Sequence, residues 1–217
     1  MTARRRTAVL VSGRGSNMAA LIAAAADPAY PAEIVRVISN RPGAGALDRA
    51  AEAGIATLVV DHKAHADRAA FDRALDAALA ADAVELVCLA GFMRLLTPWF
   101  VERWRDRIVN IHPALLPSFK GLDTHARALA AGVRLHGCTV HLVRAEMDEG
   151  PILAQAAVPV LDDDTPDSLA ARVLGAEHRL YPAAVALYAG GRLAVEGERV
   201  RFADAPPPPP MLVWPEA

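Results

Sequence analysis

The sequence predicts an α/β protein: a mostly parallel sheet with helices on both faces, completed in the C-terminal half by an antiparallel hairpin. Three observations carry this. Up to His112, short apolar runs alternate with helical stretches at short spacing, the pattern of a parallel sheet covered on both sides. Those runs are nearly continuous in apolar residues, as in strands buried on both faces. In the second half the pattern changes, because Cys138–Val143 alternates and Ile152–Val160 reads as its hairpin partner.

Composition sets the frame. The chain has 217 residues, is 53% hydrophobic and only 22% charged, so it folds around a sizeable core. Residues 1–205 read as one domain and 206–217 as a proline-rich tail, extended and poorly ordered over Pro206–Pro210. The net charge of −2 gives no reason to expect nucleic acid or an anionic membrane as partner. No apolar run is long enough to span a bilayer, and the N-terminus lacks a secretory pattern, so the expected location is cytoplasmic. The two cysteines, Cys88 and Cys138, fall in apolar runs and read as small core residues, not as a disulfide.

Taken in order, Thr7–Ser12 is the first strand. Gly13-Arg14-Gly15-Ser16-Asn17 follows, and Met18–Ala26 is a helix. Strand, glycine loop and helix N-terminus present free backbone N–H groups to an anion, with Ser16 and Asn17 as caps and donors. The loop is neither a Walker loop nor a complete dinucleotide fingerprint, and a ligand-free tight turn fits the same residues. Ile34–Ser39 is the second strand, Ala46–Ala53 a helix closed by Gly54, and Ile55–Val60 the third strand. Asp61–Ala66 reads as a solvated loop. Its His62 and His65 have no Cys or carboxylate cluster to complete a metal site. Arg68–Ala81 is helical and Glu85–Ala90 is the fourth strand. Thr97-Pro98 opens a helix whose Trp99, Phe100 and Trp104 read as core, and Arg107–His112 is the fifth strand. Thr124–Leu129 is a short helix. Thr165-Pro166 opens another that runs toward Tyr181, with a separate stretch from Pro182 to Ala189. Glu196–Phe202 contributes to a small terminal hairpin.

The chemistry concentrates between Asn110 and Gly121. Asn110 and His112 lie two apart on a strand, hence on one face, and Pro113 and Pro117 then end regular structure. A carboxamide and an imidazole together suit acyl-type chemistry, in which a carbonyl oxygen gains charge and a proton moves. A polar strand end with a satisfied histidine fits the same two residues. Asp148, in the acidic turn of the later hairpin, would favour the imidazolium and fix its tautomer if that turn folds over the fifth strand. In parallel sheets ligands gather at the carboxyl ends of strands, so the loops at Gly13, Gly91 and Asn110 are expected to converge.

Several motifs in this order resemble the glycinamide ribonucleotide formyltransferase family, a folate-dependent group of purine biosynthesis. They are Ser12-Gly13-Arg14-Gly15-Ser16-Asn17, Leu89-Ala90-Gly91-Phe92-Met93-Arg94, Asn110-Ile111-His112-Pro113-Ala114-Leu115-Leu116-Pro117 and His136-Gly137-Cys138-Thr139-Val140-His141. Asp148-Glu149-Gly150-Pro151 and Glu177-His178-Arg179-Leu180-Tyr181-Pro182 complete the set. The resemblance runs from Val9 to about Tyr188. It implies a Rossmann-like first half and a second half that completes a folate cleft. It also implies formyl transfer from 10-formyltetrahydrofolate to the amine of glycinamide ribonucleotide, without metal, by a monomer or homodimer. By the same resemblance, Asn110, His112 and Asp148 are catalytic, and Gly15, Ser16, Asn17 and Glu177 hold the ribonucleotide. Arg68, Met93, Arg94, Leu95, Leu96 and Asn110 surround the folate. The chain departs from relatives at Asp123, where some carry His, and at Ala176, where Gln is common.

Two neighbouring reactions compete. A formyltetrahydrofolate hydrolase would use water in place of the amine and would not need the phosphate loop or Glu177. Such enzymes usually add an N-terminal regulatory domain, whereas the first strand here starts within about ten residues of Met1. A methionyl-tRNA formyltransferase would add a C-terminal domain and a basic surface. A catalytically idle nucleotide-binding module would lack one of Asn110, His112 and Asp148.

Overall fold

The short apolar runs form strands that turn residues end: Gly13, Pro42-Gly43, Asp61, Gly91 and Pro113. A computed structural model describes residues 3–204 and Trp214, so the predicted extended proline run lies outside the described residues. In chain order the elements are β1 (Arg5–Val11), α1 (Ser16–Ala25), β2 (Ala32–Ser39), α2 (Gly45–Glu52), β3 (Thr57–Val59), α3 (Arg68–Ala81), β4 (Leu86–Leu89) and α4 (Pro98–Arg103). They continue with β5 (Ile108–His112), α5 (Thr124–Ala130), β6 (Leu135–Leu142), β7 (Ile152–Pro159), α6 (Pro166–Ala189), β8 (Leu193–Glu196) and β9 (Arg199–Phe202).

Seven strands form one sheet in the order β3-β2-β1-β4-β5-β6-β7, with β8 and β9 in a separate hairpin. Strands β1 to β5 pair in parallel, whereas β5–β6 and β6–β7 are antiparallel. The order reverses between β1 and β4, the point at which open α/β sheets place their ligands. One core layer packs Met18 and Leu21 of α1, Ala46 and Ala50 of α2 and Tyr181, Ala184 and Val185 of α6 on one face. The other face carries Phe71, Leu75 and Leu79 of α3 with Phe100 and Trp104. The Rossmann-like reading and the C-terminal antiparallel hairpin therefore both hold.

Several local expectations are corrected. The third strand shrinks to three residues at the sheet edge, where only β2 pairs with it and two of its side chains are exposed. Trp99 is 41% exposed and not core; the Arg73 guanidinium lies 5.0 Å from its ring centroid, a surface cation–π contact. Residues 62–64 form a 3-10 turn capped by the Asp61 side chain; the loop is largely exposed, but His62 is partly buried and its Nδ1 meets the Asn40 carbonyl at 2.7 Å. His65 packs edge-on against Phe71.

The last helix is the largest correction. It runs unbroken for 24 residues through Pro182. A proline inside a helix costs about 3 kcal/mol. The residues around it bury enough to exceed that, since fully buried large side chains contribute roughly 1.5–3 kcal/mol each and Tyr181, Val185 and Tyr188 all pack on the sheet. Thr165 and Ser168 form a reciprocal capping box at its start, as the Thr-Pro signal predicts.

Candidate active site

The loop after β1 builds an open cleft of about 270 Å³. Ser12 to Asn17 line one side, and Ala90, Gly91 and Met93 come from the end of β4. Arg14 and Arg41 give the cleft its positive charge. Gly15 adopts φ 74°, and a Cβ there would stand 2.6 Å from the Ala46 Cβ. The turn therefore needs glycine twice, for its backbone conformation and for its approach to α2. Ser12 is buried and locks the two loops together: its Oγ donates to Asn40 Oδ1 at 2.6 Å and accepts from the Met93 N–H at 2.8 Å.

Ser16 and Asn17 do not cap α1 as expected. Gly15 is the N-cap and no side chain bonds the first turn, so those N–H groups stay open toward the cleft. Asn17 turns instead to Glu177, donating from Nδ2 to Oε2 at 2.7 Å across 160 residues of sequence. This contact joins two of the residues expected to hold the ribonucleotide. Burial pushes the Glu177 carboxyl above its ordinary value, opposed by the Asn17 hydrogen bond.

Substituting Gly15 tests the turn. Gly15→Ala is expected to raise the KM for a phosphate-bearing substrate about tenfold, because left-handed strain of 1–2 kcal/mol must be relieved by moving the loop. Steady-state kinetics against phosphate-bearing substrate checks this.

At the end of β5, Asn110 and His112 lie on one face, as the strand period requires, opposite His141 and Thr139 of β6. Asn110 Nδ2 is 3.2 Å from His141 Nε2, and His141 Nδ1 is 3.0 Å from the Leu142 carbonyl. Burial pushes His141 below its ordinary value, which favours the neutral ring. Its Nδ1–H then donates to Leu142, and its Nε2 accepts one Asn110 amide proton. The second amide proton remains free for a ligand.

His112 is 5% exposed. Its Nε2 meets the Phe119 carbonyl at 3.0 Å, and its Nδ1 stands 3.4 Å from Asp148 Oδ1. Both ring nitrogens thus face oxygen atoms, Nε2 at hydrogen-bond distance and Nδ1 farther off. Asp148 is held in turn by the Gly121 N–H, 2.7 Å from Oδ2. The acidic turn therefore does fold over the fifth strand.

Thr139 braces the proline loop that follows His112. Its hydroxyl donates to the Ala114 carbonyl at 2.7 Å and accepts from the Leu116 N–H at 3.0 Å.

The expected folate residues lie beside this centre on the segment after β4. Met93 and Leu95 are 66% and 56% exposed, unusual for large apolar side chains, whereas Leu96 packs inward against the core. Arg94 is partly buried and its Nε has no partner among the described residues. Arg68 opens α3 one turn before Phe71, whose ring stacks on Phe92, so that helix end adjoins the same segment. No group of metal-binding side chains occurs among the described residues, and no helix is long and apolar enough to cross a membrane. The cysteines are buried free thiols, pushed up to about 12 by burial.

Comparison with known proteins places this architecture. The family model described as formyl transferase matches residues 5–185. The chain belongs to the formyl transferase family. Among formyl transferases, phosphoribosylglycinamide formyltransferase of Escherichia coli (strain K12) is 43% identical over 93% of this chain and 95% of its own length. The trifunctional purine biosynthetic protein adenosine-3 of Gallus gallus is 51% identical over 89% of the chain, which spans about a fifth (19%) of that longer protein. The crystal structure of glycinamide ribonucleotide transformylase 1 from Symbiobacterium toebii superposes with a TM-score of 0.91 at 48% identity, covering 94% of this chain and 96% of that one.

Four contributors escaped the sequence reading: His141, the Phe119 carbonyl, the Gly121 N–H and Arg41. His141 stands in one of the motifs that carry the resemblance, and the β5–β6 register would have paired it with Asn110. Backbone groups leave no such signal.

Proposed function

We propose that the chain transfers the formyl group of 10-formyltetrahydrofolate to the primary amine of glycinamide ribonucleotide, as a cytoplasmic enzyme of purine biosynthesis and one-carbon metabolism. The observation that carries the reading is His112 held between Asp148 and the Phe119 carbonyl, next to Asn110 with a free amide proton. This pair sits one strand away from a cationic glycine cleft. The ribonucleotide phosphate occupies that cleft on the open N–H groups of Gly15, Ser16 and Asn17. Glu177 holds the ribonucleotide beyond it. The folate lies along Met93, Arg94, Leu95 and Leu96, with Arg68 at the outer end and Asn110 at the inner end.

The amine attacks the formyl carbon and a C–N bond forms. The carbonyl oxygen becomes an oxyanion, stabilised by the Asn110 amide and by His112. The Nδ1–H is the His112 proton available for this. Its 3.4 Å separation from Asp148 exceeds the 2.7–2.9 Å of a tight charge-assisted bond. The intermediate then breaks its bond to the folate N10, which takes up a proton as the amine nitrogen releases one. Asp148, beside the His112 ring, accepts the amine proton through water and returns it by the same route to N10, so the site ends in the protonation state in which it began.

Formyl-folate turnover followed by absorbance, with and without the ribonucleotide, tests the reading. Turnover that requires the ribonucleotide is expected. Turnover without it would make the chain a hydrolase, and the role given to the glycine cleft would fall.

Glu177→Gln separates binding from stability. The raised carboxyl means that ionising Glu177 costs the folded chain free energy. The associated stability is complete below the unfolded carboxylate range and is lost as pH rises through the raised value. Glutamine keeps the acceptor for Asn17 and removes the charge. The variant is expected to melt higher than the parent at about pH 8, with the difference vanishing toward about pH 4. Its KM for the ribonucleotide rises about ten- to a hundredfold, as for loss of a charged hydrogen-bond partner.

A further inference from the structure

One short segment holds both partners of the dyad. The Phe119 carbonyl meets His112 Nε2 at 3.0 Å and, two residues on, the Gly121 N–H donates to Asp148 Oδ2 at 2.7 Å. The separation of His112 Nδ1 from Asp148 Oδ1 is therefore set by the conformation of residues 119–121. That conformation is not self-supporting. Phe119 sits at φ 55° and Asp123 at φ 54°, both in the left-handed region where a Cβ carries a steric cost.

Arg127 on α5 supports the segment from outside. Its Nη1 donates to the Lys120 carbonyl at 2.6 Å and reaches the Leu122 carbonyl at 3.3 Å. Its guanidinium carbon lies 5.7 Å from the centroid of the Phe119 ring. One side chain thus ties the carbonyls on either side of Gly121 and grips the aromatic ring of the residue whose carbonyl holds His112. The His136 ring meets Phe119 at 78° and 5.7 Å between centroids. His136 is 1% exposed and supports Phe119 through ring packing. Lys120 reaches across to Glu149, the neighbour of Asp148, at 2.5 Å.

We propose that Arg127 is a positioning residue for the His112–Asp148 pair, acting through the backbone of residues 119–122. The proposal rests on the reading of that pair as catalytic. An exposed arginine on a short helix adds little to global stability, since surface charge contacts are weak. Its donor geometry is what the segment uses, and a lysine cannot reproduce a planar guanidinium against two carbonyls and a ring. The charged and titratable groups facing His112 are Asp148 from the β6–β7 turn, His125 from α5, and His136 and His141 from β6. Arg127 acts on none of them directly.

The test pairs kinetics with histidine-labelled NMR on the full chain. In the parent, the His112 Nε2 proton is expected as a slowly exchanging signal bonded to the Phe119 carbonyl. In Arg127→Ala and Arg127→Lys that signal is expected to broaden or vanish. For both, kcat falls about tenfold, as when a reacting group is misplaced by a fraction of an ångström, with the ribonucleotide KM and the melting temperature nearly unchanged. Phe119→Leu removes the ring but leaves the carbonyl, and is expected to give a smaller loss of the same kind. It keeps the test open if an Arg127 variant does not fold. Parent-like kcat with an unchanged His112 signal overturns the proposal. So does full recovery by lysine, which would reduce the role to charge. A protected Nε2 proton in a parent that transfers no formyl group would overturn the catalytic reading and leave the clamp standing.

Discussion

His112→Ala lowers kcat by about a hundred- to ten-thousandfold, the range for a lost general acid–base group, and leaves ribonucleotide affinity nearly intact. The separation follows from the layout. The glycine cleft is lined by residues after β1, β2 and β4, whereas His112 ends β5 and faces Asp148. Removing the ring also leaves the Phe119 carbonyl and the Asp148 carboxylate without their partner. That costs about 1–3 kcal/mol of stability and should be read separately from a melt. Single-turnover kinetics with calorimetric titration of the ribonucleotide checks the split. Equal loss of turnover and binding would mean that His112 organises the site and does no chemistry.

Gly137→Ala is expected to have the largest effect on stability. Gly137 lies in the middle of β6, opposite Ala157 of β7, and a Cβ there would stand 1.9 Å from the Ala156 carbonyl oxygen and 3.0 Å from the Ala157 Cα. Both are backbone atoms of the paired strand, so no side-chain rotation relieves the overlap. The strands must part or slip, and slipping by one residue would exchange the two buried faces of β6, putting Thr139 and His141 where Cys138 and Val140 pack. A loss of at least about 3 kcal/mol is expected, which lowers the melting temperature by about 6–12 °C for a chain of this size. A thermal melt of the variant beside the parent decides it. A shift under about 2 °C would mean that the hairpin yields easily.

How much was legible in the sequence depends on how local the cause is. The helix over Arg68–Ala81 and the Thr97-Pro98 and Thr165-Pro166 starts rest on neighbours a few residues apart and formed as read; the strand–glycine–helix order around Gly13–Asn17 also formed, with the helix beginning at Ser16. The same-face pairing of Asn110 and His112 rests on strand period alone and also formed. Misreadings gathered where a distant contact outweighs a local signal. Pro182 reads as a break, yet the burial of Tyr181 and Val185 carries the helix through it. Asn17 reads as a cap, yet Glu177 claims its amide from 160 residues away. Trp99 reads as core because its spacing matches Phe100 and Trp104, but one step around a helix turns a side chain outward. The Asp148 contact was legible only as a condition on how the hairpin folds. The loop that enforces it acts through backbone groups, which every sequence possesses.

Helix α6 has a further consequence, for how the protein comes into being. Its Tyr181 hydroxyl reaches the carbonyls of Leu89 and Val109 at 2.9 and 3.1 Å, and its Glu177 meets Asn17. During synthesis the glycine loop emerges first, and the 160 residues separating Asn17 from Glu177 take about 8 to 30 s to follow at typical ribosomal rates. Once His112 has followed, and until α6 is made, the nascent chain has the glycine cleft without Glu177, and β4 and β5 without the tyrosine that stitches them together. A chain released early would therefore lack the Asn17–Glu177 contact, and formation of that contact reports that the last helix has docked.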